Sequence, residues 1–337
     1  MTAKKCAPIA VTMGEPGGIG LETTIKAWST LNGAAPPFYL IDDPKRVKSA
    51  GCKIAIINDP SEAAAHFGNA LPIFPIGTAI HGAAGQSDIA NAPHVIEAIN
   101  IAVNHALAGK AAGVTTNPIQ KSTLNAHGFS FPGHTEYLHE LTASTQMPQG
   151  LLRGPVMLLA GPDLRTVPVT IHQPLKEAIA ALNTEAIFDT TQIVISSLIK
   201  DFNIQKPRIN VAGLNPHAGE NGVLGKEDLD IIAPAIARLR AQGHTIDGPS
   251  PSDTMFHEDA RANYDVAICM YHDQALIPVK ALAFHDTVNV TLGLPIIRTS
   301  PDHGTALNIA GRDIARPDSL IAAIQLASRL SANRATK

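Results

Sequence analysis

The stretch DVAICM at residues 265–270, followed at once by YHDQ at 271–274, indicates how this chain folds. An apolar run that contains β-branched residues is typical of a strand buried on both faces of a parallel or mixed sheet. Similar short runs recur along the chain, at 8–13, 38–42, 54–58, 111–116, 167–171 and 209–214. The sequence therefore predicts a sheet with a buried interior.

Longer segments with helical periodicity separate these runs. Apolar residues in 88–108 recur at intervals of three and four, and Gly109 is placed to end that helix. Further helices are expected at 21–28, at 183–202 with Asn183 or Thr184 as cap, and at 230–242. Strands that alternate with helices predict an α/β protein with helices packed on the sheet.

Length and composition limit the classes of protein that this chain can belong to. Its 337 residues predict two domains, at about 150 residues per domain. A net charge of −3 and an aromatic content of 4% argue against a nucleic-acid partner. The three cysteines form no paired motif, which fits a reducing, cytoplasmic compartment. No apolar run reaches the roughly 18 residues of a membrane span, so we expect no membrane partner.

Three of the predicted strands are each followed by a histidine, namely His172, His217 and His272. Ligands of open α/β sheets bind beyond the carboxyl ends of the strands. Three imidazoles with an open fourth position form a known catalytic zinc arrangement. The alternative is that each histidine is an ordinary hydrogen-bonded residue of the core or of a loop.

Other polar or glycine-rich segments each allow two interpretations. The loop GEPGGIG at 14–20 is not a GxGxxG fingerprint, and its glycines permit close approach either of a phosphate or of a neighbouring strand. His134 and Thr135 offer an imidazole and a hydroxyl to an anion, or simply begin a helix with Thr135 as its cap. Asp253 could orient a ligand histidine or cap a helix. The turn 302–306 could close on an adenosine or lead into the next helix.

Five ordered stretches, GEPGGIG, PGHTE, NPHAGENG, YHDQALIPVKAL and RTSPDHGTALNIAG, resemble the signatures of the 4-hydroxythreonine-4-phosphate dehydrogenase family of pyridoxal phosphate biosynthesis, over about residues 8–330. The last stretch is also similar to the adenosine-binding loop of isocitrate and isopropylmalate dehydrogenases. The resemblance implies their fold, with two α/β domains and an active-site cleft between them. It further implies a cofactor-side domain of 1–125 with 280–337, a metal, substrate and dimerisation domain of 126–279, and a homodimer whose active sites use both subunits.

The resemblance also assigns roles to individual residues. It implies NAD(P)-dependent oxidation of 4-phosphohydroxy-L-threonine to 2-amino-3-oxo-4-phosphooxybutanoate, which decarboxylates to 3-amino-2-oxopropyl phosphate. A divalent metal (zinc, alternatively magnesium or cobalt) would be bound by the three histidines, one of them supplied by the other subunit. The residues that would bind the substrate are His134, Thr135, Lys280, Asn289 and Arg298. The adenosine of NAD or NADP would lie on Asp302, His303, Gly304, Thr305 and Ala306. Lys280 or Asp253 would carry the proton.

The sequence departs from the family pattern in two places. The family commonly has GDPAGIG where this chain has GEPGGIG. It commonly has Asp where this chain has Asn308, and this second difference leaves NAD versus NADP open. Three other functions stay open: a sister dehydrogenase of a phosphorylated sugar acid or a cyclic dihydrodiol, a zinc-dependent aldolase or lyase without nicotinamide, and a non-catalytic metabolite-binding protein.

Overall fold

The computed structural model describes residues 7–31, 36–77 and 79–336. The strands are β1 (Ile9–Thr12), β2 (Phe38–Asp42), β3 (Ile54–Ile56), β4 (Leu71–Pro75), β5 (Gly113–Thr116), β6 (Val156–Ala160), β7 (Arg165–Pro168), β8 (Arg208–Ala212), β9 (Thr245–Ser250), β10 (Val266–Cys269), β11 (Val288–Leu292) and β12 (Arg298–Pro301). The α-helices are α1 (Gly20–Leu31), α2 (Pro44–Ser49), α3 (Ala63–His66), α4 (Ala92–Leu107), α5 (Lys121–Ala126), α6 (His134–Leu141), α7 (Leu175–Ala181), α8 (Thr184–Lys200), α9 (Ala233–Ala241), α10 (Glu258–Arg261), α11 (His272–Ala283) and α12 (Asp318–Ala335). Strands and helices alternate over most of the chain, so the α/β prediction is confirmed.

These elements form two compact units. Unit 1 contains the described residues through Gln146 together with Leu294–Thr336, and unit 2 is Met147–Gly293. The boundaries expected from the sequence, 125/126 and 279/280, both lie earlier. The first moves because α6 packs on α4 within unit 1. The second moves because β11 pairs with β6 within unit 2.

Unit 1 is built on parallel strands in the order β3-β4-β2-β1-β5-β12. Helices α4 and α12 pack on this sheet. The apolar face of α4 is buried through Val95, Ile99 and Val103, at the helical spacing that the sequence shows. A short 3-10 turn capped by Asp88 precedes this helix, and Gly109 follows it at φ +69°. The predicted helix is therefore confirmed, with a tighter first turn.

Unit 2 has strands in the order β11-β6-β7-β10-β8-β9. β6 is antiparallel to both β11 and β7, whereas β7, β10, β8 and β9 are parallel. Asn183 caps α8 by accepting a 2.9 Å hydrogen bond from the amide of Ala186, which confirms one of the two caps expected. Across the described ranges, we find no helix that combines the length and apolar character needed to cross a bilayer.

Candidate active site

The three strands that precede the histidines are neighbours. β10 pairs in parallel with β7 on one side and with β8 on the other. Their carboxyl ends therefore lie at one edge of the sheet of unit 2, as the sequence predicts. The strand expected at 167–171 is shorter than predicted and ends at Pro168, so His172 lies in the loop beyond it.

His172 and His272 lie together at this edge. Their ring centroids are 6.0 Å apart, and both line a pocket of about 310 Å³ that also includes Tyr271 and Asp273. Nδ1 of His272 is 2.7 Å from Oδ1 of Asp273. A carboxylate on one ring nitrogen orients the imidazole and leaves the other nitrogen, Nε2, available as a ligand.

His217 is exposed on a loop of unusual handedness. Five consecutive residues, His217–Asn221, have φ between +44° and +75°, although only Gly219 lacks a side chain. Among the residues that the structure describes, no three His, Cys, Asp or Glu side chains lie close enough to hold a metal ion. The structure therefore brings two of the three predicted histidines together, and the ligand role of all three stays a prediction.

The loop that carries His217 is held by the buried carboxylate of Asp228. This side chain accepts hydrogen bonds from the amide of Leu214 (2.8 Å) and from the amide and side chain of Asn215 (3.2 and 2.8 Å). Nδ2 of Asn215 also donates to Glu227 at 2.8 Å, and this bond lowers the pKa of that carboxyl. These contacts fix the residues that lead into the left-handed segment, a conformation that non-glycine residues otherwise avoid.

In unit 1, Arg298 is a cation with 3% of its surface exposed. It begins β12, and its Nη2 donates a 2.6 Å hydrogen bond to Oγ1 of Thr116 at the end of β5. Burial lowers the pKa of Arg298 to about 10, and the charge of Glu136 partly offsets this effect. A buried guanidinium is suited to binding a phosphate or carboxylate.

His134 lies beside this cation. Burial, together with the charges of Arg298 and Lys121, holds the pKa of His134 well below its usual 6.5. Its Nε2 is buried without a hydrogen-bond partner among the described residues. His134 and Thr135 are also the first residues of α6, so they do begin a helix, but Thr135 is not its cap. An anion placed here would give Nε2 a partner and neutralise nearby positive charge.

The other predicted substrate and proton-carrying residues lie in unit 2. Asn289 is on β11, and its Oδ1 is buried with no hydrogen-bond partner in the described part of the chain. Lys280 is half-buried on α11, with its Nζ 5.6 Å from the centroid of the Phe284 ring. Asp253 is exposed on a turn at which no helix begins, so the helix-cap interpretation of this residue is wrong.

Neighbouring backbone occupies the space around the glycines of the loop 14–20. A Cβ on Gly17 would lie 2.1 Å from the carbonyl oxygen of Gln86, and one on Gly18 would lie 2.8 Å from that of Thr305. The same Thr305 oxygen accepts a 3.0 Å hydrogen bond from the amide of Ile19. Of the two interpretations, the structure favours close approach of neighbouring backbone.

The turn 302–306 packs against two other segments of unit 1. Oγ1 of Thr305 donates to Oε1 of Gln120 at 3.0 Å, and the amide of Asp302 donates to Oγ of Ser319 at 3.1 Å. Ala306 has φ +46°, a conformation that residues with a side chain rarely adopt. The turn packs against the start of α12 and does not lead directly into it.

A cavity of about 490 Å³ lies beside the segment that continues this turn, and Gly18, Glu22, Gly311 and Asp313 are among its lining residues. Oε1 of Glu22 accepts from Lys26 and from the amide of Ala315. Its Oε2 is buried and has no hydrogen-bond partner in the described ranges. Cavities of this size accommodate small ligands and cofactors.

Comparison with known proteins shows which family this chain matches. A family model described as "Pyridoxal phosphate biosynthetic protein PdxA" matches residues 36–327. The chain belongs to this family. It is 52% identical over 329 residues to a protein from Caulobacter vibrioides named 4-hydroxythreonine-4-phosphate dehydrogenase, covering 97% of this chain and 98% of that one. The family resemblance that the five sequence stretches indicate is confirmed.

Solved structures agree with this assignment to the PdxA family. A 4-hydroxythreonine-4-phosphate dehydrogenase from Klebsiella pneumoniae superposes with a TM-score of 0.86 at 36% identity, covering 98% of this chain and 99% of that one. A terephthalate 1,2-cis-dihydrodiol dehydrogenase from Burkholderia xenovorans superposes with a TM-score of 0.65 at 27% identity, covering 96% and 98%. The fold is shared with both.

Sequence reasoning missed two residues that the structure places at these sites in this member of the PdxA family. Lys121 affects His134 electrostatically, and it lies a few residues beyond the end of β5. A polar side chain beyond the carboxyl end of a predicted strand is the same signal that points to the histidines. Lys121 follows the strand predicted at 111–116 and therefore carries this signal. Gln274 lies within YHDQ, but its neighbours in the sequence indicate no role, because only the fold shows what its amide contacts.

Proposed function

We propose that the chain oxidises 4-phosphohydroxy-L-threonine to 2-amino-3-oxo-4-phosphooxybutanoate, using a nicotinamide cofactor and a divalent metal ion. The product then loses carbon dioxide to give 3-amino-2-oxopropyl phosphate. The observation that carries this proposal is the pairing of His172 with His272 at the ends of adjacent parallel strands. Membership of the PdxA family and nearly full-length coverage of the relatives support it.

The side chains at this edge fit a divalent metal ion. Imidazole nitrogens are common ligands of zinc and cobalt, and the Asp273 carboxylate orients His272 as a neighbouring carboxylate does in many zinc sites. We propose His172, His217 and His272 as the ligands. When bound, such an ion lowers the pKa of an alcohol, and the nicotinamide accepts the hydride. Lys280 or Asp253 would take up the proton.

The anionic groups of the substrate require cationic and hydrogen-bonding partners, which the chain supplies in both units. In unit 1, buried Arg298 and exposed Lys121 are the cations whose charges act on the buried imidazole of His134. Asn289 and Lys280 offer an unpartnered amide oxygen and an ammonium group in unit 2. We assign the phosphate and the carboxylate of the substrate to these residues and to Thr135, because fixing both ends orients the alcohol.

For the nicotinamide cofactor, the cavity beside the segment that continues the turn 302–306 is large enough for a nucleoside. The unpartnered Oε2 of Glu22 would accept a hydrogen bond from a ribose hydroxyl, whereas it would repel a 2′-phosphate. Arg46 and Lys26, which also line the cavity, already bind carboxylates. We therefore propose NAD in preference to NADP, with its adenosine half on the turn 302–306.

We further propose that the active protein is a cytoplasmic homodimer whose sites use both subunits. Ile277 on α11 and Phe284, the residue that directly follows this helix, are 65% and 64% exposed, which is unusual for large apolar side chains unless another surface covers them. A second copy would cover them and could supply the third histidine. No cluster of three ligands lies within the described part of one chain, which supports this arrangement.

Mixed dimers test the shared site. Purified His217→Ala and His172→Ala proteins would each lack turnover. After the two are unfolded and refolded together, about a quarter of the wild-type activity should return, because half of the dimers are mixed and each has one intact site. The matched control is a mixture of His172→Ala with His272→Ala. It should stay inactive, since the structure places both histidines in one chain. No recovery in the first mixture would refute a His217 supplied by the partner.

A second candidate is a dehydrogenase of a cyclic dihydrodiol, because one structural relative carries that name at 27% identity. A panel of substrates followed by NADH absorbance separates the two, and turnover of the dihydrodiol without turnover of the phosphorylated hydroxythreonine would favour the second. Binding of NAD measured by calorimetry would exclude a lyase that uses no nicotinamide.

A further inference from the structure

The side-chain amide of Gln274 is buried, with 7% of the residue exposed, and uses every hydrogen-bonding group that it has. Its Oε1 accepts from the amide of Met270 at 2.6 Å. Its Nε2 donates to the carbonyl of Gly213 and to Oγ of Ser252, both at 2.7 Å. A buried polar group whose donors and acceptors all have hydrogen-bond partners fixes one arrangement of its neighbours.

The partners of Gln274 belong to three different segments. Gly213 follows β8 directly and precedes His217 by four residues. Ser252 precedes the proposed proton carrier Asp253, and its Oγ also donates to Gly213 at 3.2 Å. Met270 directly follows β10 and lies two residues before His272. One amide therefore joins the loops that carry these three groups.

A second bond extends this connection to His172. The carbonyl of Met270 accepts hydrogen bonds from Oγ1 (2.8 Å) and from the amide (3.3 Å) of Thr170. Thr170 is two residues before His172 and is itself buried. An unbroken series of hydrogen bonds thus runs from the His172 segment through Met270 and Gln274 to the His217 segment.

We propose that Gln274 is a positioning residue that sets the relative placement of the segments bearing His172, His217 and His272, and thereby the affinity for the divalent ion. This inference rests on the proposed function, because it concerns the same site. It holds whichever subunit's ion His217 serves. Glutamate at this position has the same length but lacks the two donors, and an ionised carboxylate would face the carbonyl of Gly213.

Direct titration of the full-length wild-type, Gln274→Glu and Gln274→Met proteins with Co²⁺ in the absence of substrate tests this role. Losing partners that orient ligands typically costs about 10- to 100-fold in metal affinity. We expect a Kd for Co²⁺ raised by roughly that factor in both variants, with a changed visible absorption spectrum of the bound ion. Gln205→Met, at an exposed glutamine of the same unit, is the matched control and should bind Co²⁺ as the wild type does.

Melting temperatures of the metal-free proteins distinguish a positioning role of Gln274 from a general contribution of this residue to stability. A Gln274→Met protein that melts lower but keeps wild-type Co²⁺ affinity and spectrum would overturn the proposal. If that variant does not fold, Ser252→Ala and Thr170→Val decide. Each removes one hydroxyl from the series and should weaken Co²⁺ binding, and unchanged affinity in both would overturn it. A wild-type protein that binds no Co²⁺, Zn²⁺ or Mg²⁺ would instead refute the proposed metal function itself, and this inference with it.

Discussion

The guanidinium of Arg298 donates a 2.6 Å hydrogen bond to Oγ1 of Thr116, and this bond ties the start of β12 to the end of β5. The cation is almost fully buried. Burying a charge is costly unless it is paired or hydrogen-bonded. The depressed pKa values of Arg298 and of neighbouring His134 record that cost. A buried cation of this kind favours an anionic ligand.

Replacing this cation should weaken substrate use without abolishing the fold. Arg298→Lys keeps the charge but loses the planar fork that matches a phosphate. Charge-assisted hydrogen bonds contribute about 1.5–3 kcal/mol, so we expect kcat/KM to fall roughly 10- to 100-fold, mostly through KM. The measurement is a steady-state NADH assay. The exposed Arg316→Lys is the control, and equal loss in the two variants would contradict a specific role.

Stability should depend on pH through two histidines. Burial lowers the pKa of His134 and of His105, whose Nδ1 is 2.8 Å from the hydroxyl of Tyr39. Below the ordinary pKa of 6.5, the unfolded chain takes up protons that the folded chain does not. Their stabilising contribution is thus present above that pH and is lost as the pH falls towards the folded-state values.

Urea unfolding at about pH 7.5 and about pH 5.5 measures this contribution, which approaches about 1.4 kcal/mol per pH unit for His134 and has the same sign for His105. The His105→Gln, His134→Gln double variant should show a flatter dependence than the wild type. If the two proteins lose the same free energy of unfolding between these pH values, other groups are responsible.

The carboxylate of Glu22 should determine cofactor preference. Glu22→Gln keeps the contacts made through Oε1 but replaces the unpartnered oxygen by a donor and removes the charge. We expect kcat/KM with NAD to fall roughly 5- to 10-fold while that with NADP rises or stays constant. Glu185→Gln, which alters an exposed ion pair, is the control. An unchanged ratio of NAD to NADP would place the ribose elsewhere.

Removal of the third histidine tests the metal directly. His217→Ala should abolish metal-dependent turnover and leave the melting temperature of the metal-free protein nearly unchanged, because this side chain is exposed. Activity is measured after chelation and after re-addition of Zn²⁺, Mg²⁺ or Co²⁺. Full activity of the variant after chelation would show that His217 binds no catalytic ion.

A glycine substitution tests the packed loop. Gly17→Ala would place a Cβ 2.1 Å from the carbonyl of Gln86, so the backbone must shift. Overpacking of this kind costs about 1–3 kcal/mol or more of unfolding free energy. Gly77→Ala, whose nearest neighbour is a side-chain oxygen at 3.9 Å, should be nearly neutral in chemical denaturation. If Gly17→Ala is equally stable but binds a phosphorylated ligand poorly, the glycine instead makes room for that ligand.

Local sequence patterns predicted the strands that are apolar throughout and the helices that bury one regular apolar face. β10 is apolar and buried throughout, and α4 and α8 have regular apolar spacing, so their locations were predictable. β12 was not, because it begins with Arg298 and contains hydroxyl side chains that bond within the fold. β11 contains no continuous apolar run, because Val288, Val290 and Leu292 alternate with polar Asn289 and Thr291, so the apolar-run pattern did not reveal it.

The candidate site was predictable from the sequence only at residues whose type alone indicates a functional role. The histidines after predicted strands were the signal in the sequence, and the structure places two of them, His172 and His272, together. A glutamine is uninformative until its partners are known, since Gly213, Ser252 and Met270 are brought to Gln274 by strand order alone. The handedness of 217–221 was equally hidden, because only one of its residues is a glycine.

The left-handed backbone of residues 217–221 limits how this segment can be transferred to another protein. Each non-glycine residue held in a left-handed conformation costs roughly 1–2 kcal/mol, and His217, Ala218, Glu220 and Asn221 are all held in it. A synthetic peptide of this segment, or the same segment grafted onto another scaffold without the Asp228 carboxylate, would relax to right-handed or extended forms. An engineer who copies the histidine must therefore copy its anchor as well.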